Sequence, residues 1–401
     1  MPLSRRTFLA ALATASNASI ALAQGRQSPV DESLFALAGS CILAGSRAPL
    51  LHPTLASMLG RGALAGVIIA AENARNRAEL RANVEAIQTR TPAGAPPFFI
   101  AADQEGGAVS HLSPTLPRMP SVSELGHIDD TALTERWGAA MGRELRRAGV
   151  NLDLAPVLDV RTNPRNMVVH MRTFGTRPDV VARHARPVIS GLLGAGILAC
   201  AKHFPGHGDT AVDSHQGLPR VAHDIARLEA VELVPFREVM NLTPAVMLAH
   251  VVYSGIDAER PATLSRAIAH GVLRERLGFQ GVAISDDLEM SAIRARWGVT
   301  AGAMRSMEAG CDLLLIAHTP ALALETARNM ARRAADDAPF RARLEEAAGR
   351  VRAMRARIGQ AIPEGAVTDD AAHIIREVAR RALTLGRRAP TRVHDPTRAT
   401  P

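Results

Sequence analysis

The stretch ILACAKHFPGHGDTAVDSH, residues 197–215, begins as an apolar run and continues into a polar loop. The run at 197–203 has the length and composition of a buried strand. The loop holds histidines, aspartates and Lys202, which is the only lysine in the chain. Because every other basic side chain apart from histidine is an arginine, a compact ammonium is required at this position. A strand that ends in such a loop indicates a functional site at its carboxyl end.

Short apolar runs alternate with longer amphipathic stretches along the whole chain. Strands are predicted at 41–44, 66–70, 97–102, 151–157, 197–203, 245–251, 281–285 and 312–316. Helices are predicted at 131–148, 178–193, 224–240, 265–277 and 300–309, with two longer ones at 321–358 and 370–385. Strands separated by helices pair in parallel. We therefore predict an α/β fold of the (β/α)8 TIM-barrel type, with a single catalytic domain over 28–386 and helices at its C-terminal end.

The two ends of the chain differ from the predicted barrel domain. Residues 1–23 begin with a paired-arginine segment at Arg5 and Arg6 and continue into an apolar run that ends in a small-residue cleavage pattern. This pattern predicts a twin-arginine signal peptide and a periplasmic or secreted protein without a stable membrane anchor, because the apolar run is too short and too polar to remain in a bilayer. An uncleaved anchor or a disordered tail is the alternative. Residues 387–401 are expected to form a disordered tail.

The composition excludes some classes of function. The formal net charge is +8, but Arg5 and Arg6 are removed with the signal peptide and further arginines lie in the tail. Aromatic residues make up 3% of the chain and no arginine block lies inside the barrel domain, so no nucleic-acid partner is expected. The cysteines at 41, 200 and 311 lie in apolar runs and are expected to be buried thiols.

Polar clusters follow five of the predicted strands. Because the active sites of this architecture form where the strands end, these clusters should meet at one rim of the barrel. They are residues 103–107, 159–172, 202–215, His250 and 286–287.

The clusters contain the groups that glycoside cleavage needs. Asp286 follows an apolar run, and a carboxylate at the barrel mouth can attack an anomeric carbon. Asp213 and His215 are two residues apart, so the carboxylate can orient an imidazole that donates and later accepts a proton. Sugar hydroxyls need hydrogen-bonding partners, which are expected to be Asp103, Arg172, Lys202 and His203.

Several motifs together resemble the glycoside hydrolase family 3 β-N-acetylglucosaminidases, above all the single-domain type that acts on peptidoglycan fragments. They are KHFPGHGD at 202–209 with DSH at 213–215, SDDLEM at 285–290, DQEGG at 103–107, LAPVLDV at 154–160, NP at 163–164, RTF at 172–174 and AHV at 249–251. The resemblance runs in order from the third predicted strand to the eighth.

The resemblance implies a retaining exo-hydrolase that removes terminal β-linked N-acetylglucosamine. It implies Asp286 as nucleophile, His215 as acid/base and Asp213 as the partner of His215. Asp103, Arg172, Lys202 and His203 would bind the terminal sugar. We expect a monomer that acts on an N-acetylglucosamine-containing glycan or muropeptide, with no cofactor and no metal.

The chain departs from the family pattern at two positions. Arginines usually follow the Gly-Gly motif, whereas this chain has Ala108 and His111. Loss of a guanidinium removes bidentate hydrogen bonding and affects substrate affinity or preference.

Other functions and simpler structural roles remain open. A zinc hydrolase, a non-catalytic muropeptide-binding protein, an N-acetylglucosaminide phosphorylase and a plain β-glucosidase are the alternative functions. Among the polar residues, Asp159 and Asn163 could be turn residues, His250 could be a core histidine, His207 and Asp209 could serve to fold the loop, and Asp287 is expected to point away from the mouth.

Overall fold

A computed structural model describes residues 30–47, 50–73, 75–113, 115–214, 216–359 and 370–388. Within these residues one sheet consists of eight parallel strands: β1 (Ile42–Ala44), β2 (Gly66–Ile68), β3 (Phe99–Ala102), β4 (Leu152–Asp153), β5 (Leu198–Phe204), β6 (Ala245–Leu248), β7 (Val282–Ser285) and β8 (Leu314–Ile316). Their order is β7-β6-β5-β4-β3-β2-β1-β8. A parallel bridge between Ile284 and Leu313 joins the two outer strands. The predicted (β/α)8 barrel is confirmed.

Helices surround the sheet. They are Glu32–Gly39, Pro53–Gly60, Arg77–Gln88, Val122–Ile128, Thr131–Ala148, Pro178–Gly194, Ile225–Ala230, Leu233–Arg237, Ser291–Trp297, Val299–Ala309, Pro320–Asp336, Ala338–Arg355 and Ala371–Arg388, with a π-type helix at Ala267–Arg276. Single-turn 3₁₀ helices lie at Ala71–Asn73, His170–Arg172 and Ala262–Leu264. Short strands also pair outside the barrel: Gln104–Gly106 with Val109–Ser110, and Arg220–Val221 with Val252–Tyr253.

Two predicted helices have the wrong extent. The stretch 224–240 forms two short helices instead of one. The stretch 321–358 is interrupted at Asp337, whose side chain accepts a hydrogen bond from the Phe340 amide and caps a second helix. Local capping therefore ends an amphipathic pattern that appears continuous in the sequence.

The helix Ala338–Arg355 closes one end of the barrel. Its residues Val351 and Met354 belong to the same buried cluster as the inward-facing strand residues, such as Phe99 and Ile284. The Arg355 Nε atom donates to the Pro97 carbonyl, just before β3 begins. Because this helix covers the amino ends of the strands, the carboxyl ends are left for a site.

Several predictions concern residues that are described only in part. The signal peptide at 1–23 lies outside the described residues, as do residues 389–401 of the expected tail, whereas residues 387 and 388 end the last helix. The cysteines at 41, 200 and 311 are buried free thiols, as expected. In the described part of the chain, no helix is both long enough and apolar enough to span a membrane.

Candidate active site

A cavity opens at the carboxyl ends of the strands, where the sequence predicted a site. Residues that follow β3, β5, β7 and β8 line it, together with the loop after β4. The lining residues include Asp103, Glu105, His111, Val168, Arg172, Lys202, His203, His207, Ser214, Asp286, Asp287, Met290, Ala317 and His318. The expected sugar ligands and the expected nucleophile therefore border one cavity.

Lys202 lies at the centre of an ionic cluster in the cavity wall. Its Nζ atom is 2.6 Å from Oδ1 of Asp103 and 2.7 Å from Oε1 of Glu105. The Lys202 side chain is only 3% exposed. Burial lowers the pKa of Lys202, but the carboxylates of Asp103 and Glu105 outweigh burial, so that the pKa is raised overall. The ammonium thus stays charged although its side chain is buried.

Glu105 links Lys202 to Arg172, a connection that sequence reasoning missed. The Arg172 Nε and Nη2 atoms donate to the Glu105 carboxylate at 2.7 and 2.8 Å. Burial raises the pKa of Glu105, and the charges of Lys202 and Arg172 more than reverse this effect. The position of Glu105 two residues after Asp103, on the same side of an extended segment, is the signal that could have identified it.

The turn after Glu105 needs glycine. Gly106 and Gly107 have φ values of 84° and 58°. A Cβ atom on Gly106 would lie 2.6 Å from the Pro120 carbonyl oxygen and 2.7 Å from the ring of Trp137. Only glycine adopts this backbone geometry in the available space, so the hairpin holds Asp103 and Glu105 at its base.

His203 is oriented from behind by Asp159. Oδ2 of Asp159 lies 2.7 Å from Nδ1 of His203, and Oδ1 accepts a hydrogen bond from the His207 amide at 2.6 Å. Asp159 is fully buried. Burial raises its pKa, but His203 and His207 reverse this and hold the pKa below its usual range. Asp159 is thus a buried partner of His203 rather than a simple turn residue.

Asp286 follows β7 and lies beside the cationic side of the cavity. Its Oδ1 atom accepts a hydrogen bond from the Asp287 amide at 2.8 Å. Burial raises the pKa of Asp286, whereas His250, His203 and the Asp287 amide lower it by a larger amount. The carboxylate is therefore ionised at neutral pH, which a nucleophile requires.

The loop that carries Asp213 is tied to the helix after β7. The Ala292 amide donates to the Ser214 carbonyl at 3.2 Å, and the Asp213 carbonyl accepts hydrogen bonds from the amides of Gln216 and Gly217. Ser214 lines the cavity and Asp213 does not. His215 lies outside the described residues. Ser214, the residue before the expected acid/base in the sequence, is thus part of the cavity wall.

The expectation that Asp287 points away from the mouth is wrong. Its side chain lines the cavity and its Oδ1 atom accepts hydrogen bonds from the amides of Glu289 and Ala317, both at 3.1 Å. Burial raises the pKa of Asp287 to about 7. β7 ends at Ser285, so the alternation of a strand no longer applies two residues later.

Three of the simpler structural roles are supported. Asn163 folds a turn, since its side chain donates to the Asp209 carbonyl and accepts from the Arg165 amide. Asp209 folds the loop by accepting from the Thr162 hydroxyl at 2.8 Å. His250 is fully buried, lies 2.8 Å from the Thr263 hydroxyl and is absent from the cavity lining.

His207 combines a structural role with a place in the cavity wall. Its Nδ1 atom lies 2.9 Å from the Thr210 hydroxyl and its Nε2 atom 3.3 Å from the Ser214 hydroxyl. Burial lowers its pKa to about 4, so the ring is neutral at physiological pH.

Among the described residues, no group of three His, Cys, Asp or Glu side chains could hold a metal ion.

The two departures from the family pattern occupy different places. Ala108 lies exposed at the tip of the hairpin and is not part of the cavity lining. His111 does line the cavity, and its Nδ1 atom is 4.0 Å from Oδ2 of Asp103. Of the two departures, His111 is therefore the one that lies in the cavity wall.

Comparison with protein families defines the class of this site. The model of the glycosyl hydrolase family 3 N-terminal domain matches residues 49–353. A buried carboxylate beside polar side chains at the mouth of a TIM barrel agrees with the position of the active site in barrel glycoside hydrolases. The chain belongs to glycosyl hydrolase family 3.

Relatives place the chain within one branch of that family. A beta-hexosaminidase of Alkalilimnicola ehrlichii is 37% identical over 294 residues, which cover 72% of this chain and 80% of that protein. Beta-hexosaminidase A of Pseudoalteromonas piscicida is 35% identical over 289 residues, and the match spans 66% of this chain and 48% of that protein.

Solved structures agree with these relatives. A family 3 beta-N-acetylglucosaminidase from Paenibacillus has a TM-score of 0.80 and 33% identity, with 87% of this chain and 68% of that chain covered. NagZ from Neisseria gonorrhoeae, solved in complex with N-trifluoroacetyl-D-glucosamine, has a TM-score of 0.65 and 30% identity over 78% of this chain and 98% of that chain.

Proposed function

We propose that the chain is a retaining exo-β-N-acetylglucosaminidase with Asp286 as nucleophile and His215 as acid/base. The observation that carries the proposal is that Asp286 lines the same cavity as Lys202 and Arg172. Relatives named beta-hexosaminidase support the acetamido sugar as substrate.

The reaction takes two displacements. A carboxylate oxygen of Asp286 attacks the anomeric carbon, and the leaving glycosidic oxygen takes a proton from His215. Water then gives a proton to His215 and attacks the anomeric carbon, which releases the sugar and frees the Asp286 carboxylate. Asp213 would orient the imidazole and stabilise its charged form.

The sugar cradle would bind hydroxyl groups through charged hydrogen bonds. Asp103 offers an acceptor held by Lys202, and Arg172 offers donors held by Glu105. His203, oriented by Asp159, adds a ring nitrogen at the cavity wall. These partners are preorganised, because each already has a buried counter-ion or hydrogen bond.

Hydrolysis is favoured over phosphorolysis by the charge of the cavity. The lining carboxylates Asp103, Glu105 and Asp286 outnumber the cations Lys202 and Arg172, before Asp287 is counted. A phosphate dianion entering beside Asp286 would meet this excess of negative charge. Product analysis with and without inorganic phosphate should therefore give the free sugar in both cases.

The test measures the turnover of two matched chromogenic substrates, a β-N-acetylglucosaminide and a β-glucoside, by the purified chain. Each assay is run with and without chelator, and the Asp286→Ala variant is assayed in parallel. We expect strong preference for the acetamido sugar, no effect of chelator and loss of turnover in the variant. Activity that disappears with chelator would support a zinc hydrolase instead. No turnover of either sugar would support a non-catalytic binding protein, and equal turnover a plain β-glucosidase.

The natural substrate and location belong to the same proposal. A twin-arginine signal at 1–23 would deliver the enzyme to the periplasm, where peptidoglycan fragments or chito-oligosaccharides are its substrates. Replacing Arg5 and Arg6 by lysine should leave the protein in the cytoplasmic fraction. Continued export of that variant would contradict the assignment of the signal.

A further inference from the structure

Glu232 is a buried carboxyl group that the proposed mechanism does not use. It is 1% exposed, and its Oε1 atom accepts a hydrogen bond from Nη2 of Arg227 at 2.8 Å. In the described part of the chain its Oε2 atom has no hydrogen-bond partner, and neither does Nε of Arg227. A buried carboxyl group with an unsatisfied oxygen is costly, and its presence calls for an explanation.

Glu232 packs against the start of the loop that carries Asp213. A Cβ atom on Gly206 would lie 2.7 Å from Cγ of Glu232, so the loop backbone and this side chain are in close contact. The hydroxyl of Tyr253 donates to the Gly206 carbonyl at 2.6 Å. Nε2 of His223 lies 3.1 Å from Oδ2 of Asp209 and 3.8 Å from Oε1 of Glu232.

These side chains form an anchor cluster, which we define as Glu232, His223 and Tyr253. Each contacts residues 206–209, the first part of the loop, and each comes from a segment outside it. Burial raises the pKa of Glu232 to about 7 and lowers the pKa of His223, so Glu232 is only partly ionised at neutral pH and His223 is mostly neutral.

The two parts of the loop differ in how they are held. His207 is buried and hydrogen-bonded, whereas Ala211 and Val212 are exposed to solvent. The chain becomes buried again at Ser214, in the cavity wall. The position of Asp213 therefore depends on a short exposed segment between an anchored start and the cavity.

We infer that the anchor cluster positions the loop so that its acid/base group reaches the glycosidic oxygen. This inference rests on the proposed function, because it assigns the proton transfer to Asp213 and His215. Glu232, His223 and Tyr253 do not line the cavity and act only through the loop. They are positioning residues for proton transfer, because they act on the glycosidic oxygen only through the loop.

Dependence on the leaving group separates this role from simple structural support. The value of kcat/KM reports the first displacement. That step needs a proton donor only when the leaving group is poor. Glu232→Ala should lower kcat/KM for an alkyl β-N-acetylglucosaminide by about 10²-fold, since a small misplacement of a catalytic group has this effect. For the dinitrophenyl glycoside the loss should be less than about threefold, since no proton is needed.

Two further variants keep the test valid if Glu232→Ala is unstable. Tyr253→Phe removes only the hydrogen bond to Gly206 and should show the same selective loss, to a smaller extent. Glu232→Gln keeps the shape and the acceptor and should restore most of the activity. The matched control is Glu144→Ala. Glu144 is a buried carboxylate on the outer helix Thr131–Ala148, 2.7 Å from Arg77, and its removal should change kcat/KM equally for both substrates.

His215→Ala should be measured beside these variants. If it shows the selective loss but Glu232→Ala and Tyr253→Phe lose both substrates equally, the positioning role is wrong and the proposed function stands. If His215→Ala itself shows no selectivity, or the unmodified chain has no turnover, the proposed function and this inference fail together.

Discussion

The Nζ atom of Lys202 lies 2.7 Å from Oε1 of Glu105, and both side chains are almost completely excluded from solvent. Glu105 in turn accepts two hydrogen bonds from Arg172. Lys202 also lies 2.6 Å from Oδ1 of Asp103, so the two cations and the two carboxylates compensate one another before any substrate binds. Such a site offers fixed hydrogen-bonding groups to a sugar with little reorganisation, which is how an enzyme stabilises a transition state in a water-poor cavity.

Removing the Lys202 charge should destabilise the protein as well as the site. Lys202→Met leaves Asp103 without its ammonium partner and Glu105 with Arg172 alone, and loss of one partner of a buried ion pair costs about 3 kcal/mol. The free energy of unfolding, measured by denaturant titration, checks this. Arg61→Met is the matched control, because its pair with Glu32 is exposed and worth at most about 1 kcal/mol. Equal losses in the two variants would contradict a buried, structural charge at Lys202.

Asp286→Asn should abolish turnover without unfolding the chain. The amide keeps the shape of the side chain and can still accept a hydrogen bond from the Asp287 amide, but it cannot form the glycosyl ester. We expect kcat to fall by at least about 10⁴-fold on the chromogenic acetamido substrate. Thermal unfolding that matches the unmodified chain is the control. Residual activity above a few per cent, shown to be free of the unmodified enzyme, would exclude Asp286 as nucleophile.

His111→Arg should strengthen substrate binding. The side chain at this position lines the cavity close to Asp103, and a guanidinium offers paired donors to sugar hydroxyls where an imidazole offers one. We expect KM for the chromogenic β-N-acetylglucosaminide to fall about threefold to tenfold, which corresponds to the ~1 kcal/mol of one additional solvent-accessible hydrogen bond. Ala108→Arg is the control and should leave KM unchanged, because Ala108 is exposed and does not line the cavity.

Asp287→Asn should change how stability depends on pH. Burial raises the pKa of Asp287 from its usual value to about 7, so the folded state binds this proton more tightly than the unfolded chain does. This group therefore contributes stability below pH 4, and the contribution is lost as the pH rises towards about 7. The asparagine variant does not undergo this loss. Relative to the unmodified chain, its free energy of unfolding should therefore be higher at pH 8 than at pH 4 by about 4 kcal/mol.

Unfolding measured at both pH values checks the Asp287 prediction. The Asn side chain can still accept hydrogen bonds from the amides of Glu289 and Ala317, so the neighbouring loops remain held. A variant whose stability relative to the unmodified chain is the same at pH 4 and pH 8 would show that Asp287 does not carry a raised pKa.

The sequence by itself determined the barrel and brought Asp103, Lys202 and Asp286 to its mouth. Alternating apolar runs and amphipathic stretches specify parallel strands joined by helices, and this rule depends only on local periodicity. The same rule brings the ends of all strands to one rim, so Asp103, Lys202 and Asp286 could be assigned to one site before their distances were known. The family motifs indicated the same site residues.

Only the tertiary structure decided which groups compensate one another. Glu105 joins Lys202 to Arg172, Asp159 holds His203, and Asp287 lines the cavity instead of pointing away from it. These contacts join residues that are far apart in the chain, and their energies depend on distance and burial, which periodicity does not encode. Sequence patterns therefore predict where a side chain lies in the fold, whereas its charge state and partners follow from the packing around it.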